Sequence, residues 1–310
     1  MRRRGPAGGA DLRLYALGYV ASVDGTAWLI LPTYNEAENI EAIVAAAGEA
    51  LAGAPCAGRN GDAGQRPVSP GFGRNGDAGQ RPVSPGFGYR VLIVDDGSPD
   101  GTGEIADRLA GEHAWVKVLH RTTKEGIGPA YLAGFAHALE QGAAYVMEMD
   151  SDFSHDPADL RRLLGAIADG ADLALGSRYV PGGGVRDWGV LRRVVSEGGS
   201  TYARWVLGLR VRDLTGGFKC FRREVLEAIH FDSVRSQGYA FQVELTYRAV
   251  RAGFHVVEVP IVFRDRQRGT SKMSWQIAVE AMWLVPRLRY GRQPPTGYAP
   301  AADRGAHALR

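Results

Sequence analysis

Two aspartates separated by one residue, Asp150 and Asp152, end an apolar run in YVMEMDSDFSHDP, residues 145–157. Neighbouring carboxylates repel unless a cation or protons intervene, and hard carboxylate oxygens suit Mg²⁺ or Mn²⁺. Mg²⁺ in particular binds through one or two carboxylates and takes further oxygens from substrate phosphates. The same residues can also be a polar strand end followed by a helix cap, since Asp-x-Asp alone is a common pattern. Asp150 and Asp152 are candidate metal ligands whose meaning depends on what the rest of the chain places beside them.

The elements that must position them follow from periodicity. AWLILPTY (27–34) predicts a strand stopped by Pro-Thr, with Asn35 placed to cap a helix over about 36–52. Further strands are predicted at 89–96, 116–119, 145–149 and 172–176, with helices behind the second strand and over 129–140 and 157–168. Alternation of short apolar strands with helices specifies an α/β fold, a single mostly parallel central sheet covered by helices on both faces. Ligands of such sheets bind at the C-terminal strand ends. Pro32, Tyr34 and Glu36 follow the first strand, Asp95 and Asp96 the second, Asp150 and Asp152 the fourth, and Ser177 and Arg178 the fifth.

Beyond Arg178 the pattern loosens. A glycine-rich loop (VPGGGVRDWGVLRR) and a broken helix (VVSEGGSTYARWVLGL) precede LTGGFKCFRREVLEAI, which predicts a strand turning into a helix. A helix (GYAFQVELTYRAVRAG), a late strand (HVVEVPIVF) and the amphipathic MSWQIAVEAMWLVPRLR complete the domain. One segment stands apart: GRNGDAGQRPVSPGF at 58–72 is repeated without change at 73–87. Its Gly, Pro, Asn and Asp content cannot bury enough surface to offset its ordering entropy, so 54–88 reads as a flexible duplicated loop insertion. Residues 1–26 read as a disordered leader, 27–290 as one folded domain and 291–310 as a disordered tail.

Composition excludes several classes. The formal charge of +3 over 310 residues, without a clustered patch, gives no nucleic-acid footprint. Two cysteines, Cys56 and Cys220, make neither a disulfide framework nor a zinc spacing, and a reducing, cytoplasmic setting follows as the default. No run of eighteen apolar residues is present to span a bilayer. The position after the first strand holds PTYNEAEN in place of G-x-G-x-x-G, and neither a Walker A motif nor a G-x-S-x-G elbow occurs.

LPTYNEAENI, VLIVDDGSPDGT, EGIGPAYLAGF, MEMDSDFSHDP, ALGSRYVPGG, TGGFKCFRREVL, GYAFQVE and RGTSK, in this order, resemble the family 2 glycosyltransferases of GT-A fold. More narrowly, they resemble the dolichol-phosphate or polyprenol-phosphate mannose synthases, over roughly 28–289 apart from the duplicated loop. The resemblance implies a GDP-mannose donor, a polyprenyl (dolichyl) phosphate acceptor and Mg²⁺ or Mn²⁺. It implies that Pro32, Tyr34, Glu36, Val94 and Asp96 hold the nucleoside, that Asp150 and Asp152, with the backbone of Ser151, carry the metal, and that Arg178, Arg266 and Lys272 set positive charge against the phosphates. A phosphomonoester has a second pKa near ~6 and is already a nucleophile at neutral pH, so no dedicated base is expected; His155 fits a structural cap better than a base.

The acceptor's prenyl chain implies a membrane. Trp275, Ile277, Met282, Trp283, Leu284 and Leu288, followed by Arg287, Arg289 and Arg292, make 273–289 either an interfacial helix or a helix packed on the domain. Gly182 to Trp188 is placed to close over the acceptor. The expected setting is peripheral, at the cytoplasmic face, with a separate membrane anchor protein as a further partner. Hexosyl transfer from a UDP-sugar and a non-catalytic binding module on the same fold are the alternatives.

Overall fold

The computed structural model describes residues 25–53, 87–265, 283 and 285–291. In chain order its elements are β1 (Gly25–Thr33), α1 (Ile40–Ala52), β2 (Phe87–Asp95), α2 (Thr102–Glu112), β3 (Val116–His120), α3 (Ile127–Glu140), β4 (Tyr145–Glu148) and α4 (Leu160–Ala168). There follow β5 (Leu173–Ser177), β6 (Gly184–Val185), α5 (Val190–Leu207), β7 (Lys219–Arg222), α6 (Arg223–Ala228), α7 (Gly238–Arg251), β8 (Val256–Pro260) and β9 (Val262–Phe263). The leader and nearly all of the duplicated loop fall outside the described residues. The repeat's last residue, Phe87, already belongs to β2, where it pairs with Gly25.

Seven strands form one sheet in the order β3-β2-β1-β4-β7-β5-β8. All neighbours are parallel except β7, which runs antiparallel to both β4 and β5. β1 shows why the sheet is buried on both sides. Ala27, Leu29 and Leu31 pack under α1, α2 and α4, while Trp28 and Ile30 alternate into a second layer under α3, α6 and α7. Strand order reverses at β1, which has β2 on one side and β4 on the other. That reversal opens a crevice at the C-terminal ends of β1 and β4, the usual ligand position of an open α/β sheet.

Three local expectations are corrected. Asn35 does not cap the first helix: it adopts a left-handed φ of 58°, and α1 begins only at Ile40. Main-chain N–H groups of Asn35, Glu36 and Ala37 instead donate to Ser98 Oγ, Thr102 Oγ1 and Asp100 Oδ2 at 3.0–3.1 Å, so the loop after β2 satisfies donors that a local cap would have taken. The helix expected to break at Gly198-Gly199 is one continuous 18-residue element, α5. Its Ala203 and Leu207 pack on Val243, Tyr247 and Val250 of α7, which offsets the roughly 1 kcal/mol that each interior glycine costs. The glycine-rich loop after β5 contains β6, which pairs with β9 in a small two-stranded ribbon.

The distance of α3 from the sheet is set by Gly134. A Cβ there would lie 2.4 Å from Ile30 Cγ2 and 3.3 Å from Val94 Cγ2, and a β-branched side chain on a central strand cannot swing aside. Overpacking costs about 1–3 kcal/mol, more than the ~1 kcal/mol an alanine gains in helix propensity. Gly134→Ala is therefore expected to lower the free energy of unfolding by about 1–2 kcal/mol, measured by urea denaturation. An equal or higher midpoint would show that helix and sheet separate freely.

Candidate active site

The loops after β1 and β2 form the first wall. Asp95 is a turn builder: buried, it accepts from Ser98 N at 3.2 Å, Ser98 Oγ at 2.5 Å and Thr33 Oγ1 at 3.3 Å. Asp96 faces the other way and accepts from Arg121 Nη1 at 2.6 Å. Burial raises its pKa and Arg121 pulls it back down. Arg121, which sequence reasoning missed, also pairs with Glu125. Lys124 Nζ sits 3.7 Å above the ring centroid of Tyr34, so the tyrosine face carries positive charge.

Pro32 and Tyr34 are half-buried at this rim. Glu36 accepts from Asn39 Nδ2 at 2.9 Å. Val94 is different: its side chain is fully buried in the core under α3, and it can serve a nucleoside only through its main chain.

This wall is tied directly to the segment of the metal candidates: Ser151 Oγ donates to the carbonyl of Pro32 at 3.0 Å. That bond fixes the end of β4 to the end of β1 and so sets Asp150 and Asp152 beside the Pro32–Tyr34 rim. Asp152 Oδ1 accepts the N–H of Ser154 at 3.0 Å across Phe153, which holds a left-handed φ of 59°. A non-glycine residue in that region is strained. Asp150 Oδ1 accepts from Tyr131 Oη at 3.3 Å. Burial, followed by the charges of Asp150 and Glu148, keeps the Tyr131 hydroxyl protonated far above the ordinary tyrosine range.

Among the described residues no three His, Cys, Asp or Glu side chains cluster into a complete metal cage. Two hard carboxylates are the share a protein contributes to a Mg²⁺-type ion when phosphate oxygens supply the rest, so the donor set fits such an ion. Two residues earlier on β4, Glu148 is fully buried and paired with Lys219 Nζ at 3.2 Å. Lys219 is its register partner on β7, and Gln242 Nε2 donates to Glu148 Oε2 at 3.3 Å. Burial raises the glutamate pKa and lowers the lysine pKa, each opposed by its partner.

Arg178 follows β5 and is buried. Its main-chain N and Nε donate to Asp213 Oδ2 at 2.9 and 2.7 Å, and Nη2 donates to Asp213 Oδ1 at 2.6 Å and Thr215 Oγ1 at 2.8 Å. Burial disfavours the guanidinium charge, but Asp213 overcompensates and holds it firmly protonated. Tyr179, Trp188 and Phe263 surround it, with ring centroids 5.1, 5.5 and 5.5 Å from Cζ. Asp213 in turn is fixed through its N–H to Glu258 Oε1 at 3.0 Å. Arg266 and Lys272 lie outside the described residues.

His155 is not a cap. The cap is Asp156, whose Oδ1 accepts from Ala158 N at 3.0 Å. The His155 ring is buried, stacked on Phe218 at 5.0 Å and 18° and edge-on to Phe263 at 5.1 Å. Desolvation, against the pull of Asp152, lowers its pKa to about 4, so it is a neutral packing element at neutral pH.

Asp213 and Thr215 reach this rim without following a strand. They precede β7, and because β7 is antiparallel its beginning lies at the rim where β4 and β5 end. In the sequence they lie in a short polar interruption, RDLTGG, ahead of an apolar strand.

Comparison with known proteins places this geometry. The family model for glycosyl transferase family 2 matches residues 80–229. The chain is 45% identical over 258 residues to the polyprenol monophosphomannose synthase of Mycolicibacterium smegmatis, covering 83% of this chain and 84% of that one. It is 51% identical over 197 residues to the undecaprenyl-phosphate mannosyltransferase of Micrococcus luteus, covering 64% and 81%. In fold it is similar to glucosyl-3-phosphoglycerate synthase from Mycobacterium tuberculosis in complex with Mn²⁺, UDP and glucosyl-3-phosphoglycerate, with a TM-score of 0.57 at 18% identity over 93% and 86% of the two chains. Similarity of this extent, on a mostly parallel sheet with its acidic rim at the switch point, makes the chain a glycosyltransferase that belongs to glycosyl transferase family 2.

Proposed function

We propose that this enzyme transfers mannose from GDP-mannose to a polyprenyl phosphate with inversion at the anomeric carbon. The observation that carries the reading is the Ser151–Pro32 tie of 3.0 Å, which sets the paired carboxylates against the rim able to hold a nucleoside. Sugar and acceptor are taken from the relatives, both named as prenyl-phosphate mannosyltransferases.

In this reading Pro32 and Tyr34 offer flat surface to the nucleoside, and Glu36 and Asp96 accept its hydrogen bonds. Asp150 and Asp152 hold Mg²⁺ or Mn²⁺, which when bound supplies Lewis-acid stabilisation to the leaving diphosphate. An oxygen of the acceptor phosphate attacks C1 of the sugar, the bond from C1 to the diphosphate oxygen breaks, and GDP departs. Arg178 is held rigid by Asp213, so its reorganisation cost during reaction is small. Arg266 and Lys272 are assigned the remaining positive charge against the phosphates.

The acceptor's prenyl chain is taken from a membrane, and the exposed aromatics mark the contact. Trp205 on α5 is 83% exposed; Trp283, just before the helical stretch 285–290, and Tyr290 at its end are 79% and 82% exposed. The two segments are joined, since Val285 and Leu288 bury into the cluster that contains Leu207 and Arg289 Nη1 donates to Leu207 O at 2.8 Å. Packing on the domain and interfacial contact are thus functions of opposite faces of one helix. No helix among the described residues is long and apolar enough to cross a membrane. Aromatic side chains with exposed Arg287 and Arg289 suit a peripheral site on anionic lipid at the cytoplasmic face, with or without a separate anchor protein.

Three experiments test this reading. Incubation with labelled GDP-mannose, a short polyprenyl phosphate and Mg²⁺ or Mn²⁺ is expected to move label into lipid, and Asp152→Asn to reduce that rate at least ~100-fold. Label moving only from a UDP-sugar overturns the donor, and GDP binding without transfer identifies a binding module. With His155 neutral, the acid limb of the rate should follow the acceptor's ionisation near pH ~6, falling as protonation removes the dianion. A limb that stays in place with a phosphonate acceptor of higher pKa would assign it to the protein. Trp205→Ala and Trp283→Ala should each weaken binding to anionic vesicles about tenfold without changing GDP affinity; unchanged vesicle binding in the double variant refutes the platform.

A further inference from the structure

Tyr131 is fully buried on α3. Its ring stacks on Phe241 of α7, with centroids 6.2 Å apart and planes at 6°, and tilts against Phe135 at 5.9 Å. The helix carrying it is seated without slack: a Cβ on Gly134 would strike Ile30, and one on Gly128 would come within 3.1 Å of the Ser236 carbonyl. From this fixed base the hydroxyl points to Asp150 Oδ1 at 3.3 Å. Buried tyrosine hydroxyls need a partner, and here the partner is a half-buried carboxylate at the strand end.

Chemistry distinguishes a tyrosine from other donors at this place. Arg or Lys would steady the carboxylate by neutralising it and so compete with a cation for its charge. A neutral hydroxyl restricts the rotation of the group and leaves its negative charge available. Outer hydrogen-bond partners of metal-binding carboxylates act in this way, and their loss weakens metal affinity about 10–100-fold. The 3.3 Å distance exceeds that of a fully engaged O–H···O⁻ bond, and positioning bonds in ligand-free sites commonly shorten when the complex forms.

We propose that Tyr131 is a positioning residue for the divalent cation, its hydroxyl fixing the orientation of the Asp150 carboxylate from behind while the stack on Phe241 fixes the hydroxyl. The inference rests on the reading of Asp150 and Asp152 as the metal carboxylates. Tyr131→Phe tests it because the ring, and with it the packing of α3 on α7, is retained.

The full chain is titrated with Mn²⁺, with and without GDP, and free Mn²⁺ is followed by electron paramagnetic resonance; the melting temperature is recorded in parallel. Tyr131→Phe is expected to weaken Mn²⁺ binding about 10–100-fold, and raised Mn²⁺ should restore lipid labelling. A lowered melting temperature with wild-type Mn²⁺ affinity would make Tyr131 merely structural and overturn the inference. Asp150→Asn separates the two levels. If it loses Mn²⁺ while Tyr131→Phe does not, only the positioning role falls; if it too binds Mn²⁺ normally, the metal reading falls and the inference with it.

Discussion

The central strand must bring two negative charges, on Asp150 and Asp152, to one end of the sheet without a third, on Glu148, adding to their repulsion. Glu148 is enclosed on the same strand, and the residue opposite it in register on β7 is Lys219. A buried ion pair adds little net stability over a hydrophobic pair, although removing one partner alone costs about 3–5 kcal/mol. Its value here is electrostatic: Lys219 compensates Glu148 beneath the site, so Glu148 does not add to the repulsion between Asp150 and Asp152. Local donors then steady those carboxylates, with the Ser154 N–H on Asp152 and the Tyr131 hydroxyl on Asp150. None of these donors carries a charge that would cancel the attraction for a cation.

The same economy governs Arg178 with the opposite sign. Its guanidinium is buried, which without a partner would be prohibitive, and Asp213 meets it through two carboxylate oxygens. A pair of this kind is nearly neutral at a distance, so Arg178 contributes little to a long-range field. Attraction of a highly charged nucleotide sugar must come from less compensated groups. Lys124, above the Tyr34 ring at the end of β1, is such a group.

The sequence and the structure agree where a residue's role is fixed by its own neighbours. Alternating apolar strands and helices and the acidic groups after β2 and β4 depend on local pattern and were legible. Asn35, Gly198-Gly199 and His155 were misread for one shared reason, that a distant segment decides each. Ser98 and Thr102 take over the donors next to Asn35, α7 packing carries α5 across its glycines, and Phe218 with Phe263 makes His155 a buried ring. Arg121 and Tyr131 lie in segments whose local pattern reads as a turn and a helix face, and only the tertiary structure shows the carboxylates they hold.

Asp213 reveals a more general limit. In a parallel sheet the functional rim collects residues that follow strands, and a search made on that rule is complete only if every strand runs the same way. β7 is inserted antiparallel between β4 and β5, so the loop entering it reaches the rim from the opposite chain direction. That loop approaches closely enough that a Cβ on Gly217 would lie 3.2 Å from Gln242 Nε2 and 3.9 Å from Asp150 Oδ1, and one on Gly216 would lie 3.2 Å from the Gly176 carbonyl. At Gly216 a side chain would have to displace the β5 backbone, whereas at Gly217 it would meet only the end of the Gln242 side chain closely. One reversed strand thus supplies Lys219 to the core beneath the site and Asp213 to Arg178 at its edge, joining the compensated Glu148 and the fixed guanidinium in a single short stretch of chain.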